Sequence, residues 1–164
     1  MLSPYGFNRL KLEQDLQSRF DTTIIRLPAL YGNHLKKNVL FDLLNKQHLE
    51  KINTNSAYQF YNLKNLSNDI DIALKHDIKL LNLSTAPLKL DELISNCFNF
   101  KLKNPKDNPL RSEDMLSKFD SIYNKNNGYL YSKDEVLNIL KTELGNNTNG
   151  SDKNAIDRIK RKFK

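Results

Sequence analysis

Tyr5 and Arg9 are the residues whose types and spacing could do chemistry. They stand four apart in SPYGFNRLKLEQDLQSRF, residues 3–20, and on a helix that spacing puts two side chains on one face. A phenol titrates near 10 in isolation, and a fixed cation beside it favours the phenolate. Such a pair can donate or accept a proton. The guanidinium can also hydrogen-bond ribose hydroxyls, but it stays protonated and relays no proton. The plain alternative is a half-buried tyrosine and a solvated arginine on an ordinary helix, and spacing alone leaves both open.

The remaining chemistry-bearing residues are sparse. His34, His48 and His76 show no ligand spacing, and no metal site is expected. Asp69, Asp71, Asp91 and Glu92 fall on predicted helix surfaces or starts and read as caps and solvated faces. Cys97 is a lone cysteine, which excludes an internal disulfide framework and a cysteine zinc site, and it reads as a small core residue. None of the five glycines completes G-x-G-x-x-G or G-x-x-x-x-G-K-[ST], so no phosphate-cradling loop is expected.

The chain that carries these residues has 164 amino acids, enough for one domain or part of a larger one. Leu, Ile, Val and Phe supply 48 of them, which is sufficient for a core. No apolar run approaches the ~18 residues of a membrane span, and MLSPYGFNRL has no signal-peptide apolar region. A cytoplasmic setting is the expectation. The net charge is +7, and residues 151–164, SDKNAIDRIKRKFK, carry +4 of it. Ile156, Ile159 and Phe163 share one helical face there. The segment reads either as a frayed, solvated tail or as a basic amphipathic piece meeting an anionic surface. Little aromatic interleaving accompanies it, so no nucleic acid is expected.

The elements that must position Tyr5 and Arg9 follow from pattern. Ser3-Pro4 reads as an N-cap and first helical proline, opening a helix to about residue 19 with Phe7, Leu10, Leu12, Leu16 and Phe20 as apolar positions. Strands are expected at 22–27, closed by Pro28, at 57–63, at 78–84 and at 98–102. Helices are expected at 37–45, 65–75 (Leu66, Ile70, Ala73 and Leu74 inward), 90–97 and 111–123. Ser132 and Glu135 form a capping box before Val136, Leu137, Leu140 and Leu144, with Gly145 as the stop. The alternation predicts an α/β fold with some parallel sheet.

Four segments then carry a resemblance. S-P-Y-G-x-x-R-L-x-x-E, Ser3 to Glu13, resembles the Tyr-x-x-x-Lys helix of the extended short-chain dehydrogenase/reductase family, which includes the NAD-dependent epimerases and dehydratases. I-I-R-L-P-A-L-Y-G, Ile24 to Gly32, resembles the strand and loop after that helix. Y-Q-F-Y-N-L-K-N-L, Tyr58 to Leu66, resembles the family's R-D-F-V-Y-V-D-D-V segment, and L-N-L-S-T-A-P-L, Leu81 to Leu88, its N-V-G-S-G strand end. Their order and spacing agree over about 3–95, and N-G-Y-L-Y-S-K-D-E-V-L, Asn127 to Leu137, is similar to the C-terminal end of some members.

The resemblance implies an incomplete Rossmann-like fold with a small C-terminal substrate-binding region. Residues 1–86 would be the last part of the Rossmann-like domain, 87–145 the substrate-binding region and 146–164 a polar, basic tail. It implies Tyr5 and Arg9 as catalytic and cofactor-binding residues, Arg9 standing where the family has Lys. Pro28 and Leu30 would line the nicotinamide end of a bound NAD or NADP. Ala29, Asn38 and Tyr58 would face the substrate. Ala29 occupies the place of a substrate-contacting Asn in many sugar-nucleotide enzymes, and Tyr58 that of a phosphate-binding Arg. The family's nucleotide fingerprint, its first strands and the Ser/Thr partner of the tyrosine would precede residue 1. The implied function is the substrate-binding portion of an NAD(P)-dependent epimerase, dehydratase or reductase for a small sugar-like substrate, inactive alone. It would be a gene remnant, or would work with a separate N-terminal half. The alternative is a non-catalytic binding module, or a homodimer formed through helix 3–19.

Overall fold

A computed structural model describes residues 3–32, 37–103 and 108–145. Helix α1 spans Pro4–Arg19. The Ser3 hydroxyl accepts the Gly6 N–H at 3.1 Å, satisfying one of the free amides at its start, and Pro4 occupies the first turn, where no N–H is needed. Strand β1, Ile24–Arg26, follows. Pro28 has no N–H to continue a ladder, and the chain resumes as strand β2, Ala29–Tyr31. Helix α2 covers Val39–Asn45.

Strands β3, Ala57–Tyr58, and β4, Phe60–Asn62, flank Gln59. Helix α3 is Leu66–Lys75, strand β5 Leu80–Asn82, strand β6 Leu88–Lys89, helix α4 Leu90–Cys97 and helix α5 Lys133–Leu140. Both arms of the Ser132–Glu135 capping box are made, and α5 runs on into a π-helical turn, Lys141–Gly145.

The architecture is mixed α/β with small sheets. Among the described residues three two-stranded ladders form. β1 pairs in parallel with β5, Ile25 opposite Leu81. β2 pairs in parallel with β4, Leu30 opposite Tyr61. β3 pairs antiparallel with β6, Ala57 opposite Lys89. Successive strand side chains point to opposite faces, so β4 serves two cores. Phe60 joins Leu43, Leu88, Leu90, Leu93 and Leu140 in one. Tyr61 joins Ala73, Ile78, Leu81, Leu83 and Leu130 in the other. The first core draws on residues from both sides of position 86.

Several expectations are corrected. No residue of α1 is buried, and Phe7, Leu12 and Phe20 face solvent (Leu12 is 48% and Phe20 62% exposed). The link of α1 to the sheet is the Glu13–Arg26 ion pair, with Leu10 and Leu16 half-buried. Leu74 on α3 is exposed, whereas Asp69, read as a surface residue, is fully buried. Residues 98–102 form no strand, although Phe98, Phe100 and Leu102 pack against the first core. Residues 111–123 form no α-helix. Residues 111–113 run extended beside β3, bridged at Ser112 to Ala57, and only a short helical turn appears at Asp120–Tyr123. The basic segment 151–164, His34 and residues 104–107 lie outside the described residues.

Candidate functional site

The segment after β1 and the extended run 111–115 build two adjoining clefts. The first, about 470 Å³, lies beyond the carboxyl end of β1 and is lined by Leu27, Pro28, Ala29, Gln59, Glu113, Asp114 and Met115. The second, about 420 Å³, is lined by Ala29, Asn38, Asp42, His48, Lys51, Tyr58, Arg111 and Glu113, with Val39 and Ile52. Ala29 and Glu113 belong to both, so the clefts meet there. Open α/β folds place ligands at the carboxyl ends of parallel strands.

The backbone explains how 111–115 reaches the site. Ala57 N–H donates to the Arg111 carbonyl at 2.9 Å, and Glu113 N–H donates to the Ala57 carbonyl at 3.1 Å. Arg111 N–H is taken by the Ser56 hydroxyl at 3.1 Å. In extended backbone, residues two apart share a face, so Arg111 and Glu113 both look into the second cleft. A helical reading of this stretch sets them about 200° apart, which hides the pair from sequence inspection. Arg111, Glu113, Lys51 and His48 are the cleft residues that sequence reasoning missed. The signal that could have found the first two is the cluster of charge in L-R-S-E-D, residues 110–114.

Gln59 fixes the floor. It is buried, its amide donates to the Thr85 and Met115 carbonyls at 2.5 and 2.8 Å, and its oxygen accepts the Met115 N–H at 2.7 Å. Its backbone carbonyl accepts the Ala29 N–H at 3.0 Å, and its backbone N–H donates to Glu113 Oε2 at 3.3 Å.

Asn38 sits at a backbone φ of +147°, a region almost reserved for glycine. Its side chain holds it there. The oxygen caps α2 by accepting the Phe41 N–H, and the amide donates to the Leu30 carbonyl. Tyr58 is half-buried and stacks on Phe60 at 5.9 Å. Burial pushes its phenol up, Arg111 pulls it back, and Glu113 pushes it further up. It therefore faces the cleft as a neutral hydroxyl.

Among the residues singled out from sequence, Ala29, Asn38 and Tyr58 share the second cleft and Pro28 lines the first. Leu30 is turned away, packing on the second core and lining a small apolar pocket with Tyr31, Leu40 and Leu144. Tyr5 is 73% exposed on α1, Arg9 is exposed beside it, and neither lines either cleft. One turn further along, Glu13 binds Arg26 of β1 through both carboxylate oxygens. The Arg26 hydrogen bonds and charge hold the Glu13 carboxyl below its ordinary value, with a smaller contribution from Arg9.

Of the residues that the resemblance assigns to a dinucleotide, Pro28 alone lines either of these two clefts. Tyr5 and Arg9 stand outside the clefts, and no glycine-rich cradle for a pyrophosphate occurs in the sequence. Cys97 and Asp114 are taken up by the fold. Burial pushes the Cys97 thiol up to about 11. Asp114 accepts the Tyr129 hydroxyl, which that bond raises to about 12. Among the described residues no group of His, Cys, Asp and Glu could hold a metal, and no helix is long and apolar enough to cross a membrane.

A scan against protein-family models finds no match, and a search of curated proteins finds none either. Among solved structures, the chain is similar to UDP-N-acetylglucosamine 4-epimerase from Bacillus cereus, with a TM-score of 0.50 and 21% identity. The match covers 76% of this chain and 47% of that one, so this chain spans about half the length of that structure. Likeness at this identity speaks for the fold alone, a mixed α/β architecture.

Proposed function

We propose that this chain is the substrate-binding portion of an NAD(P)-dependent epimerase, dehydratase or reductase acting on a sugar or sugar nucleotide. The observation that carries the reading is the meeting of Ala29, Asn38 and Tyr58 with Arg111, Lys51 and Glu113 along one cleft. Unpaired cations and hydroxyl- or amide-bearing side chains in one concavity suit a phosphorylated polyol. None of the ion pairs among the described residues uses Arg111 or Lys51. Arg111 stands beside Tyr58, so the cation absent at position 58 is supplied from two residues before Glu113.

In this reading NAD or NADP is held by a nucleotide-binding half that is not contained in these 164 residues, and hydride exchange is the chemistry the dinucleotide supplies. Tyr5 is the proton-exchanging residue once that half covers α1, and Arg9 sets its charge environment. Alone, the chain binds sugar nucleotide without turnover.

Calorimetry with UDP-N-acetylglucosamine tests the binding, and addition of a recombinant nucleotide-binding half from a relative tests the rest. Binding by the chain alone, lost in Arg111→Ala, with turnover only in the mixture and only with Tyr5 intact, is the expected result. A folded chain that binds no sugar nucleotide overturns it.

The exposed stripe on α1 favours a second reading, a non-catalytic module that pairs with another copy or with a full-length relative through residues 3–19. Co-purification that survives Tyr5→Phe, with no turnover in any mixture, selects it.

A further inference from the structure

The waist where the two clefts meet has one wall without chemistry. Ala29 presents only a methyl group there, while Glu113 stands opposite and lines both clefts. The backbone of Gln59 links the two residues. Ala29 N–H donates to the Gln59 carbonyl at 3.0 Å, and Gln59 N–H donates to Glu113 Oε2 at 3.3 Å. Gln59 therefore bonds both residues and sets Glu113 beside position 29.

Its acid neighbour in the first cleft, Asp114, is engaged by the Tyr129 hydroxyl at 2.5 Å. Glu113 enters no ion pair among the described residues, and its second oxygen has no protein partner there. A carboxylate with one oxygen anchored and one free is a rigid acceptor for ligand O–H groups.

We infer that Glu113 is a specificity-determining residue that reads hydroxyl groups of the sugar at the cleft waist, where Ala29 offers no polar contact. This rests on the sugar-binding reading of the site. Arg111 and Lys51 take the anionic end of the same ligand. The division of labour is spatial: both cations line only the second cleft, and Glu113 marks the passage to the first. A ligand with its phosphates against Arg111 extends its sugar ring past Glu113 toward Pro28.

The test titrates wild type, E113Q and E113A with UDP-N-acetylglucosamine and, separately, with UDP. E113Q keeps an oxygen for the Gln59 N–H, so it preserves the local fold, and thermal unfolding of each variant checks this. Losing a charged acceptor for ligand hydroxyls weakens the sugar nucleotide by roughly tenfold in E113Q. UDP affinity stays within about twofold, because phosphate and base contacts lie elsewhere. R111A weakens both ligands. Equal loss on both ligands in E113Q, or no loss on either, overturns the assignment while leaving the sugar-binding reading standing. Wild-type binding of neither ligand overturns both.

Discussion

The Tyr61 hydroxyl donates to Asp69 Oδ2 at 2.6 Å, inside the protein. Tyr131 donates to the same carboxylate at 2.8 and 2.9 Å. Asp69 has no exposed surface. The contact therefore ties three elements: β4 through Tyr61, α3 through Asp69, and the segment entering α5 through Tyr131. Hydrogen bonds to a charged acceptor are each worth ~1.5–3 kcal/mol. Tyr61→Phe, which removes one donor and keeps the ring, is expected to lower unfolding stability by about 2 kcal/mol. Asp69→Ala leaves both phenols unsatisfied and is expected to cost more, about 3–5 kcal/mol. Urea unfolding at neutral pH measures both.

The same cluster predicts a steep alkaline limit. Burial first, then the hydrogen bond to Asp69, holds the Tyr61 and Tyr131 phenols far above the ordinary value of 10.0. Burial and the nearby Asp69 raise Tyr123 as well. The folded state thus keeps protons that the unfolded chain loses near pH 10, and stability falls as pH rises past that point. The contribution is complete below about pH 10 and is lost progressively above it. Urea midpoints should hold between about pH 8 and 9 and drop from about pH 10 upward, and the drop should be shallower in Tyr61→Phe, which has one such phenol fewer.

Local signals were legible where they satisfy backbone groups. The Ser3 cap, the proline in the first turn of α1 and the Ser132–Glu135 box each do so within a few residues, and each element begins where they stand. The strands at 22–27 and 78–84 were legible as apolar runs, and the structure pairs their centres, β1 with β5, in parallel. What a sequence pattern cannot report is the far side of a contact. Asp69 reads as a polar helix residue because its tyrosine partners lie 8 and 62 residues away. Residues 111–115 read as helix because their extended conformation is imposed by β3 and Gln59. That one override removed Arg111 and Glu113 from view and with them half of the cleft. Position 38 was legible as a residue of interest, but its backbone strain was not.

Glu13 and Arg26 hold α1 to the sheet. No α1 residue is buried, so this half-exposed bridge matters more than such a pair usually does. Arg26 depresses the Glu13 carboxyl from its ordinary 4.5. A depressed carboxyl contributes stability that is present above its unfolded value and lost as pH falls through the folded one. The attachment of α1 should therefore weaken below about pH 4.5. Glu13→Gln should produce the same weakening at neutral pH. Hydrogen exchange of the amides in residues 4–19 reads it: faster exchange there, with the two cores unchanged, is the expected outcome. Unchanged exchange in α1 would show that Leu10 and Leu16 suffice to hold it.

The outer stripe of α1 should be adhesive. Tyr5, Arg9 and Leu12 stand at spacings of four and three on one helical face, all exposed, and Phe20 extends the line. An exposed apolar row of this kind marks a contact surface or an aggregation liability. Leu12→Glu changes its character without disturbing the helix, since Leu and Glu have similar helix propensity and Leu12 packs on nothing in the core. Unfolding stability should stay within about 0.5 kcal/mol of wild type. Sedimentation velocity over a concentration series should show wild type self-associating and Leu12→Glu remaining monomeric. If the variant also fails to combine with a nucleotide-binding half, the stripe serves that half and Tyr5 lies at the joint. If it combines normally, the stripe is reserved for another copy. A wild-type chain that stays monomeric and combines with no half would remove α1 as an interface altogether.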